Sequence, residues 1–174
     1  IHHTKTQRAP LICSMNEPYD LAVVGAGIVG LATAYKYQLK YPEKVIAVFE
    51  KEKELATHQT GRNSGVIHSG IYYKPGSYKA KTCIDGRKQI TAFAKEHNIP
   101  HDICGKIVLA TEEKEVPILE KIYQRGLENE IEGMELIGPD QIRAIEPHAK
   151  GLKAIRVPVT GIIDYRAFCL KLVD

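Results

Sequence analysis

Apolar positions along the chain predict a strand, a helix and a second strand near its start. Residues 20–24 form a short apolar run with the length of a buried parallel strand, and residues 31–40 have the composition of a helix. Pro42 ends this helix, and the apolar run over 45–49 predicts the next strand. This order predicts an α/β fold with a parallel sheet. The expected apolar stripe of the helix consists of Ile28, Leu31, Ala32, Tyr35 and Leu39.

The turn between the first strand and the helix matches a glycine motif of dinucleotide-binding proteins. Residues 25–30 read Gly-Ala-Gly-Ile-Val-Gly, which is the spacing G-x-G-x-x-G. Gly25 permits the tight turn, Gly27 lets a pyrophosphate approach the backbone, and Gly30 lets the helix pack closely on the strand. The helix N-terminus offers N–H groups and a positive dipole end to the phosphates. The alternative is a glycine-rich βα turn in another doubly wound fold.

An acidic residue follows the second strand at the distance that this motif requires. Glu50 lies twenty residues after Gly30. Its carboxylate can accept hydrogen bonds from both ribose hydroxyls of an adenosine, and its charge would repel a 2′-phosphate. The pattern therefore argues against NADP.

The stretch 56–73 is rich in Gly, Ser, Thr and Asn and contains His58, Arg62 and His68. Such a loop can present many backbone N–H groups and hydroxyls to a ligand. The apolar residues at 66–67 and 71–73 are typical of packed positions. They argue against a purely solvent-exposed loop.

The remaining pattern predicts further helices and strands. The elements are a helix over 78–97 capped by Ser77, a strand over 102–110, a helix over 113–129 with Pro117 in its first turn, a strand over 134–137, a short helix over 139–145, a strand over 152–157 and a final helix capped by Asp164. The expected buried stripe of the helix over 113–129 is Ile118, Leu119, Ile122, Tyr123 and Leu127. The final helix lacks a stop signal, and the late strands are too few to close a sheet with two buried faces. We therefore expect the chain to be truncated.

Composition narrows the classes of protein. Hydrophobic residues make up 44% and charged residues 26% of the 174 residues, which is ordinary for a globular protein. The net charge of +3 is too small to indicate a nucleic-acid partner. The four cysteines, Cys13, Cys83, Cys104 and Cys169, form no C-x-x-C and no zinc-like spacing. We expect free thiols and no metal site.

We interpret residues 1–18 as a leader segment. They include Lys5 and Arg8, and no acidic residue precedes Glu17. This composition is typical of the remnant of a mitochondrial transit peptide, and equally of a disordered N-terminal segment.

Beyond these local patterns, the sequence resembles the FAD-dependent oxidoreductases of the D-amino-acid-oxidase type. The resemblance rests on the glycine motif, on residues 48–53 and above all on residues 58–77. Residues 104–106, 146–147 and 160–166 also fit. It covers the chain from about Tyr19 onward. Relatives often carry histidine where this chain has Arg62, so no role of a histidine is transferred to that position.

The resemblance implies FAD as the cofactor and a Rossmann-like, GR2-type flavoprotein fold over 19–100. It further implies part of a smaller α+β substrate domain over 101–160 and a return towards the FAD domain over 161–174. The ADP half would lie on the glycine motif and Glu50, and the loop 60–66 beside the pyrophosphate and flavin. The predicted cofactor-binding residues are Gly25, Ala26, Gly27, Ile28, Gly30, Glu50, Lys51, Thr60, Arg62, Asn63, Ser64, Gly65 and Val66.

The resemblance also implies an activity and a location. The reaction would be the oxidation of L-2-hydroxyglutarate to 2-oxoglutarate by hydride transfer to the flavin, with electrons passed to an acceptor other than oxygen. Animal members are mitochondrial, which favours a mitochondrial location. The sequence does not indicate the electron acceptor. Peripheral association of the protein with a membrane is left open.

Within this reaction we assign roles to a few side chains. His68 is the candidate base, because a neutral imidazole accepts a proton near pH 7. The alternative is that His68 only positions the loop. Tyr72 and Tyr73 are the expected ligands of the substrate's carboxylates, with Lys74 and Arg62 as further candidates.

Two other functions stay open at this point. One is a related flavin enzyme that acts on amines, amino acids or glycerol phosphate. The other is a non-catalytic nucleotide-binding module.

Overall fold

The chain divides into two compact units in a computed structural model that describes residues 18–174. The first unit contains the described residues up to Ser64 together with Asp164–Asp174, and the second contains Gly65–Ile163. The predictions for the leader and for Cys13 fall largely or wholly outside the described residues. The predicted domain boundaries near residues 100 and 160 stay predictions.

The first unit contains the predicted strand–helix–strand motif. Strand β1 (Leu21–Val24) leads into helix α1 (Ile28–Lys40), and strand β2 (Ile46–Phe49) pairs with β1 in parallel. The register runs from Leu21 opposite Ile46 to Val24 opposite Phe49. A 3-10 turn (Gln59–Gly61) and helix α5 (Tyr165–Lys171) complete this unit. The α/β prediction is confirmed for this region, and α1 begins three residues earlier than predicted.

Two burial predictions for the first unit are wrong. The buried residues of α1 are Leu31 and Ala34, whereas Leu39 is 60% exposed, since Ala34 and Leu39 lie on opposite sides of Leu31 around the helix. The strands are also less buried than their apolar runs predict. Val24 is 88% exposed and Phe49 is 52% exposed, because only two strands form this sheet among residues 18–174.

The second unit contains two antiparallel sheets of three strands each. One has the order β3–β8–β4 and the other β5–β7–β6. The strands are β3 (Val66–Ile67), β4 (His101–Asp102), β5 (Lys106–Ala110), β6 (Glu135–Ile137), β7 (Lys153–Val157) and β8 (Gly161–Ile163). The helices are α2 (Tyr78–Glu96), α3 (Val116–Glu128) and α4 (Pro139–Ile145). Its main core cluster consists of Ile71, Ala110, Leu119, Ile131, Met134, Ile155 and Val157.

The single strand predicted over 102–110 is wrong, because it divides into β4 and β5, which belong to different sheets. The division occurs at Gly105, whose φ of +76° lies in the left-handed region that favours glycine. The N–H of Gly105 donates to the carbonyl of Thr160 at 2.8 Å. Strand β8, which follows Thr160, was not predicted, and its pairing with β3 and β4 depends on residues far away in the chain.

The predicted helix caps are confirmed, whereas part of the predicted buried face of α3 is wrong. Ser77 Oγ accepts from the N–H of Ala80 at 3.2 Å, as predicted. In the first unit Asp164 caps α5 by accepting from two backbone N–H groups, and α5 ends at Lys171. Along α3, Ile118 is 58% exposed and Leu127 is 44% exposed, because residues 113–115 form a 3-10 turn and the buried face centres on Leu119. Among residues 18–174, no helix has both the length and the apolar character needed to cross a membrane.

An ion pair joins α2 to the turn before β6. The Arg87 side chain is only 9% exposed, and its Nη2 donates to Glu132 Oε2 at 2.7 Å. This hydrogen bond is the main cause that lowers the pKa of Glu132 from 4.5 to about 2. Removing the carboxylate alone would leave the buried guanidinium without its partner. An uncompensated buried charge lowers the free energy of unfolding.

We expect Glu132→Gln to lower the free energy of unfolding of the full-length protein by about 1 kcal/mol at pH 7, a small value because the carboxylate is half-exposed. The folded pKa lies below the unfolded one, so this stabilisation is complete above about pH 4.5 and is lost as the pH falls towards 2. Denaturant unfolding at a series of pH values measures it, with Asp140→Asn at an exposed ion pair as control. A difference between variant and wild type that does not change with pH would contradict this account.

Candidate nucleotide-binding site

The turn after β1 has the geometry that the glycine motif requires. Gly25 has a φ of +99°, and its N–H donates to the carbonyl of Phe49 at 2.7 Å. A Cβ on Gly30 would lie 2.0 Å from the carbonyl oxygen of Gly25, which no side chain tolerates. Gly30 therefore permits the close contact between helix and turn, and Gly25 permits the turn itself.

The N-terminus of α1 keeps several backbone donors available. Thr60 Oγ1 accepts from the N–H of Ile28 at 3.0 Å. The N–H groups of Gly27, Val29 and Gly30 have no acceptor among residues 18–174. Free N–H groups and a positive dipole end at the same place suit a phosphate group.

Glu50 lies beside this helix N-terminus. Its Oε2 accepts from the N–H of Ala26 at 2.7 Å, and its Oε1 accepts from the N–H of Glu52 at 3.0 Å. The bond from Glu52, followed by that from Ala26, lowers the pKa of Glu50, so the carboxylate stays ionised. Each oxygen retains lone-pair capacity for a further donor, such as a ribose hydroxyl.

A cavity of about 130 Å³ lies beside the N-terminus of α1 and Glu50. Gly27, Glu50, Ala56, Thr57, His58, Gln59 and Thr60 line it. The hydroxyl oxygen of Thr57 is buried and has no hydrogen-bond partner within the described residues 18–174. A buried hydroxyl without a partner favours a polar ligand in the cavity. The volume is below that of a complete cofactor site, so these residues fit one part of a dinucleotide, its adenosine diphosphate half.

The segment 56–59 contributes to the site, although its residues were not among the predicted cofactor ligands. Ala56 is buried with a φ of +57°, and its N–H donates to the carbonyl of Ala26 at 3.1 Å. A Cβ on Gly61 would lie 2.3 Å from the carbonyl oxygen of Ala56. His58 Nε2 lies 2.9 Å from Glu52 Oε1. Alanine is not a typical left-handed residue, so the polar composition of the loop was the only available signal.

The structure separates the residues predicted over 60–66. Thr60 lines the cavity and caps α1, whereas the Asn63 amide donates to the carbonyls of Gln59 and Thr60 at 3.1 and 2.8 Å and orders the 3-10 turn. Gly65 and Val66 belong to the second unit, where the carbonyl of Gly65 accepts from the N–H of Ile163 at 2.9 Å. The exposed residues Lys51, Arg62 and Ser64 are not among those that line the cavity.

The predicted substrate residues surround one turn of the second unit. The carbonyl of Tyr72 accepts from Arg125 Nη1 at 3.1 Å, and that of Tyr73 accepts from Asn129 Nδ2 at 2.9 Å. Partial burial raises the pKa of the Tyr72 phenol. His68 is an exposed residue. The backbone carbonyl of His68 accepts from Cys83 Sγ at 3.5 Å. Helix α3 therefore holds the turn that carries both tyrosines.

Lys74 directly follows this turn and lines a cleft of about 300 Å³. The other residues that line this cleft are Pro75, Lys121, Gln124, Arg125 and Glu128. Arg125 thus contacts the turn at the Tyr72 carbonyl and also lines this cleft.

The strand–turn–helix geometry, the free N–H groups and the carboxylate after β2 together define a dinucleotide-binding protein of the Rossmann type. The family model described as "FAD dependent oxidoreductase" matches residues 20–174. The chain belongs to this family, and FAD is its cofactor. The predicted family and cofactor are thus confirmed.

Curated relatives are named for a single activity. The chain is 48% identical over 159 residues to "L-2-hydroxyglutarate dehydrogenase, mitochondrial" of Nematostella vectensis, a match that covers 91% of this chain and 35% of that protein. It is 47% identical to "L-2-hydroxyglutarate dehydrogenase" of Indibacter alkaliphilus, over 90% of this chain and 39% of that protein. The chain therefore spans little more than a third of the length of these relatives.

A solved structure shares the fold. L-alpha-glycerophosphate oxidase from Mycoplasma pneumoniae, with FAD bound, matches with a TM-score of 0.79 at 28% sequence identity. The match covers 90% of this chain and 41% of the oxidase. This likeness supports a flavoprotein fold for the chain as a whole.

We expect Gly30→Ala to abolish retention of FAD by the full-length protein, because the added methyl must displace the backbone of the turn. Flavin absorbance per protein after gel filtration, together with the melting temperature, measures this effect. Gly86→Ala is the matched control, since a Cβ there meets nothing within 4 Å and Ala favours the α2 helix by up to about 1 kcal/mol. Retention of FAD by Gly30→Ala at the wild-type ratio would contradict the role of this contact.

Proposed function

We propose that the protein to which this chain belongs oxidises L-2-hydroxyglutarate to 2-oxoglutarate with FAD as hydride acceptor. The observation that carries the proposal is the 47–48% identity, over about nine-tenths of the chain, to proteins named for this activity. Electrons then pass to an acceptor other than oxygen. We also propose a mitochondrial location, supported by the names of animal relatives such as those of Nematostella vectensis and Bos taurus.

The residues of the first unit would bind and orient the cofactor. Bound FAD supplies the redox chemistry, by accepting a hydride from the carbon that carries the hydroxyl group. Glu50 would accept hydrogen bonds from the ribose hydroxyls, and the N–H groups of Gly27, Val29 and Gly30 would bind the pyrophosphate. Thr57 would donate its hydroxyl to the ligand. Lys51, Arg62, Asn63, Ser64, Gly65 and Val66 remain proposed cofactor contacts.

The residues of the second unit would bind the substrate and move one proton. His68 would accept the hydroxyl proton at its imidazole, which has no hydrogen-bond partner among residues 18–174. The hydrogen bond from Cys83 to the backbone of His68 would hold this segment in place. Tyr72 and Tyr73, on the turn held by Arg125 and Asn129, would donate their hydroxyls to a substrate carboxylate.

A related oxidation of glycerol phosphate is the second candidate. The observation that favours it is the likeness to the Mycoplasma pneumoniae oxidase, whose name states that substrate. At 28% identity, this support is weaker than that of the curated relatives.

The full-length protein, purified with its FAD and kept free of oxygen, tests the two candidates. We expect L-2-hydroxyglutarate to bleach the flavin absorbance and the D-enantiomer to leave it unchanged. Reduction of the flavin only by glycerol phosphate, or only by an amino acid, would contradict the proposed substrate and indicate an enzyme for that other substrate class. A colourless protein that binds only adenine nucleotides would favour a non-catalytic module.

We expect His68→Asn to slow flavin reduction by L-2-hydroxyglutarate by about 10²- to 10⁴-fold, because a positioned base contributes that much to proton transfer. Stopped-flow absorbance under anaerobic conditions measures the rate, and the flavin content shows that FAD is still bound. His148→Asn, at an exposed position, is the matched control. An unchanged rate in His68→Asn would remove the base role and leave His68 as a loop residue.

A further inference from the structure

Lys106 is a partly buried cation at the start of β5, in the unit that carries His68 and both tyrosines. Its Nζ lies 4.7 Å from the centroid of the Tyr72 ring. Burial lowers the pKa of this lysine, because its charged form loses part of its hydration. The ring face of Tyr72 compensates for only part of this loss, since a cation–π contact is weaker than an ion pair.

Lys106 lacks a carboxylate partner in the described part of the chain. Among residues 18–174, no carboxylate oxygen of Asp or Glu lies within 4.0 Å of its Nζ, although other lysines of the chain, such as Lys153 and Lys44, have such partners. A partly buried ammonium group is normally paired. Lys106 is therefore able to pair with an anionic ligand.

Other polar groups of this unit lie on the neighbouring segments of the chain. The charge of Lys106 opposes the rise in pKa that burial causes at the Cys83 thiol. Cys83 Sγ in turn donates to the backbone carbonyl of His68 at 3.5 Å. Two buried hydroxyl oxygens have no hydrogen-bond partner among residues 18–174: that of Ser69, next to His68, and that of Thr160, whose carbonyl accepts from the N–H of Gly105.

The backbone holds Lys106 firmly in this position. Lys106 pairs with Val157 in the β5–β7 ladder, and Gly105 before it is bonded to Thr160. A side chain on a paired strand is more precisely placed than one on a loop. By contrast, Lys74 and Lys79 are exposed, and Lys79 Nζ lies 5.9 Å from the centroid of the Tyr73 ring.

We propose that Lys106 binds a carboxylate of the substrate and so selects for a 2-hydroxy dicarboxylic acid over uncharged alcohols. This inference rests on the proposed function and adds to it a binding residue that the tyrosines alone do not provide. The ammonium group would exchange its incomplete contact with the Tyr72 ring for a charge-assisted hydrogen bond to the substrate. Lys106 would therefore determine affinity and specificity, and it would leave the proton transfer to the base.

The test uses the full-length protein with bound FAD and three variants, Lys106→Met, Lys106→Arg and the control Lys114→Met at an exposed position. The product 2-oxoglutarate is the binding probe, and its dissociation constant is measured from the change in flavin absorbance. We expect Lys106→Met to raise this constant by about 10- to 100-fold, the loss of one charged hydrogen bond. Lys106→Arg should recover most of the affinity, and Lys114→Met should match the wild type.

Kinetics separates binding from a structural role. We expect Lys106→Met to raise the KM for L-2-hydroxyglutarate by a similar factor and to change kcat by less than about fivefold. A wild-type dissociation constant in Lys106→Met, with or without a lower melting temperature, would overturn the proposal and leave a lysine that only packs on Tyr72. Failure of the proposed function is distinct, because the wild-type flavin itself would then not be reduced by L-2-hydroxyglutarate.

Discussion

The contact between Gly30 and the carbonyl oxygen of Gly25 is the constraint on which the nucleotide site depends. The first turn of α1 passes so close to the turn after β1 that no side chain fits between them. This approach fixes the direction in which the helix N-terminus points. In this arrangement the N–H groups of Ala26 and Ile28 donate to Glu50 and Thr60.

Two acceptors from distant parts of the chain complete this arrangement. Glu50 accepts from the N–H of Ala26, and Thr60 accepts from the N–H of Ile28. Both bonds satisfy backbone donors that a helix leaves without intrahelical partners. The N–H groups of Gly27, Val29 and Gly30 stay without an acceptor among residues 18–174, at the positive end of the α1 dipole. Ala56 contributes a third link by donating to the carbonyl of Ala26, at the cost of a left-handed backbone conformation.

The second unit positions its polar groups by a different means. Its antiparallel strands hold Lys106 in a ladder, and the side chains of Arg125 and Asn129 hold the turn 70–73 by its carbonyls. Lys106 Nζ lies 4.7 Å from the centroid of the Tyr72 ring, so the ladder and the turn together set a cation against a phenol ring.

Sequence alone determined the local features of this protein. The glycine motif and the caps Ser77 and Asp164 depend on residues within a few positions of each other, and Glu50 directly follows an apolar run. The tertiary structure decided the break at Gly105, the existence of β8, the use of Thr60 as a cap for α1 and the contact of Lys106 with the Tyr72 ring. These features result from contacts between residues tens of positions apart. A periodic pattern records which residues prefer burial, but it does not record which distant partner a donor, a strand edge or a charge will meet.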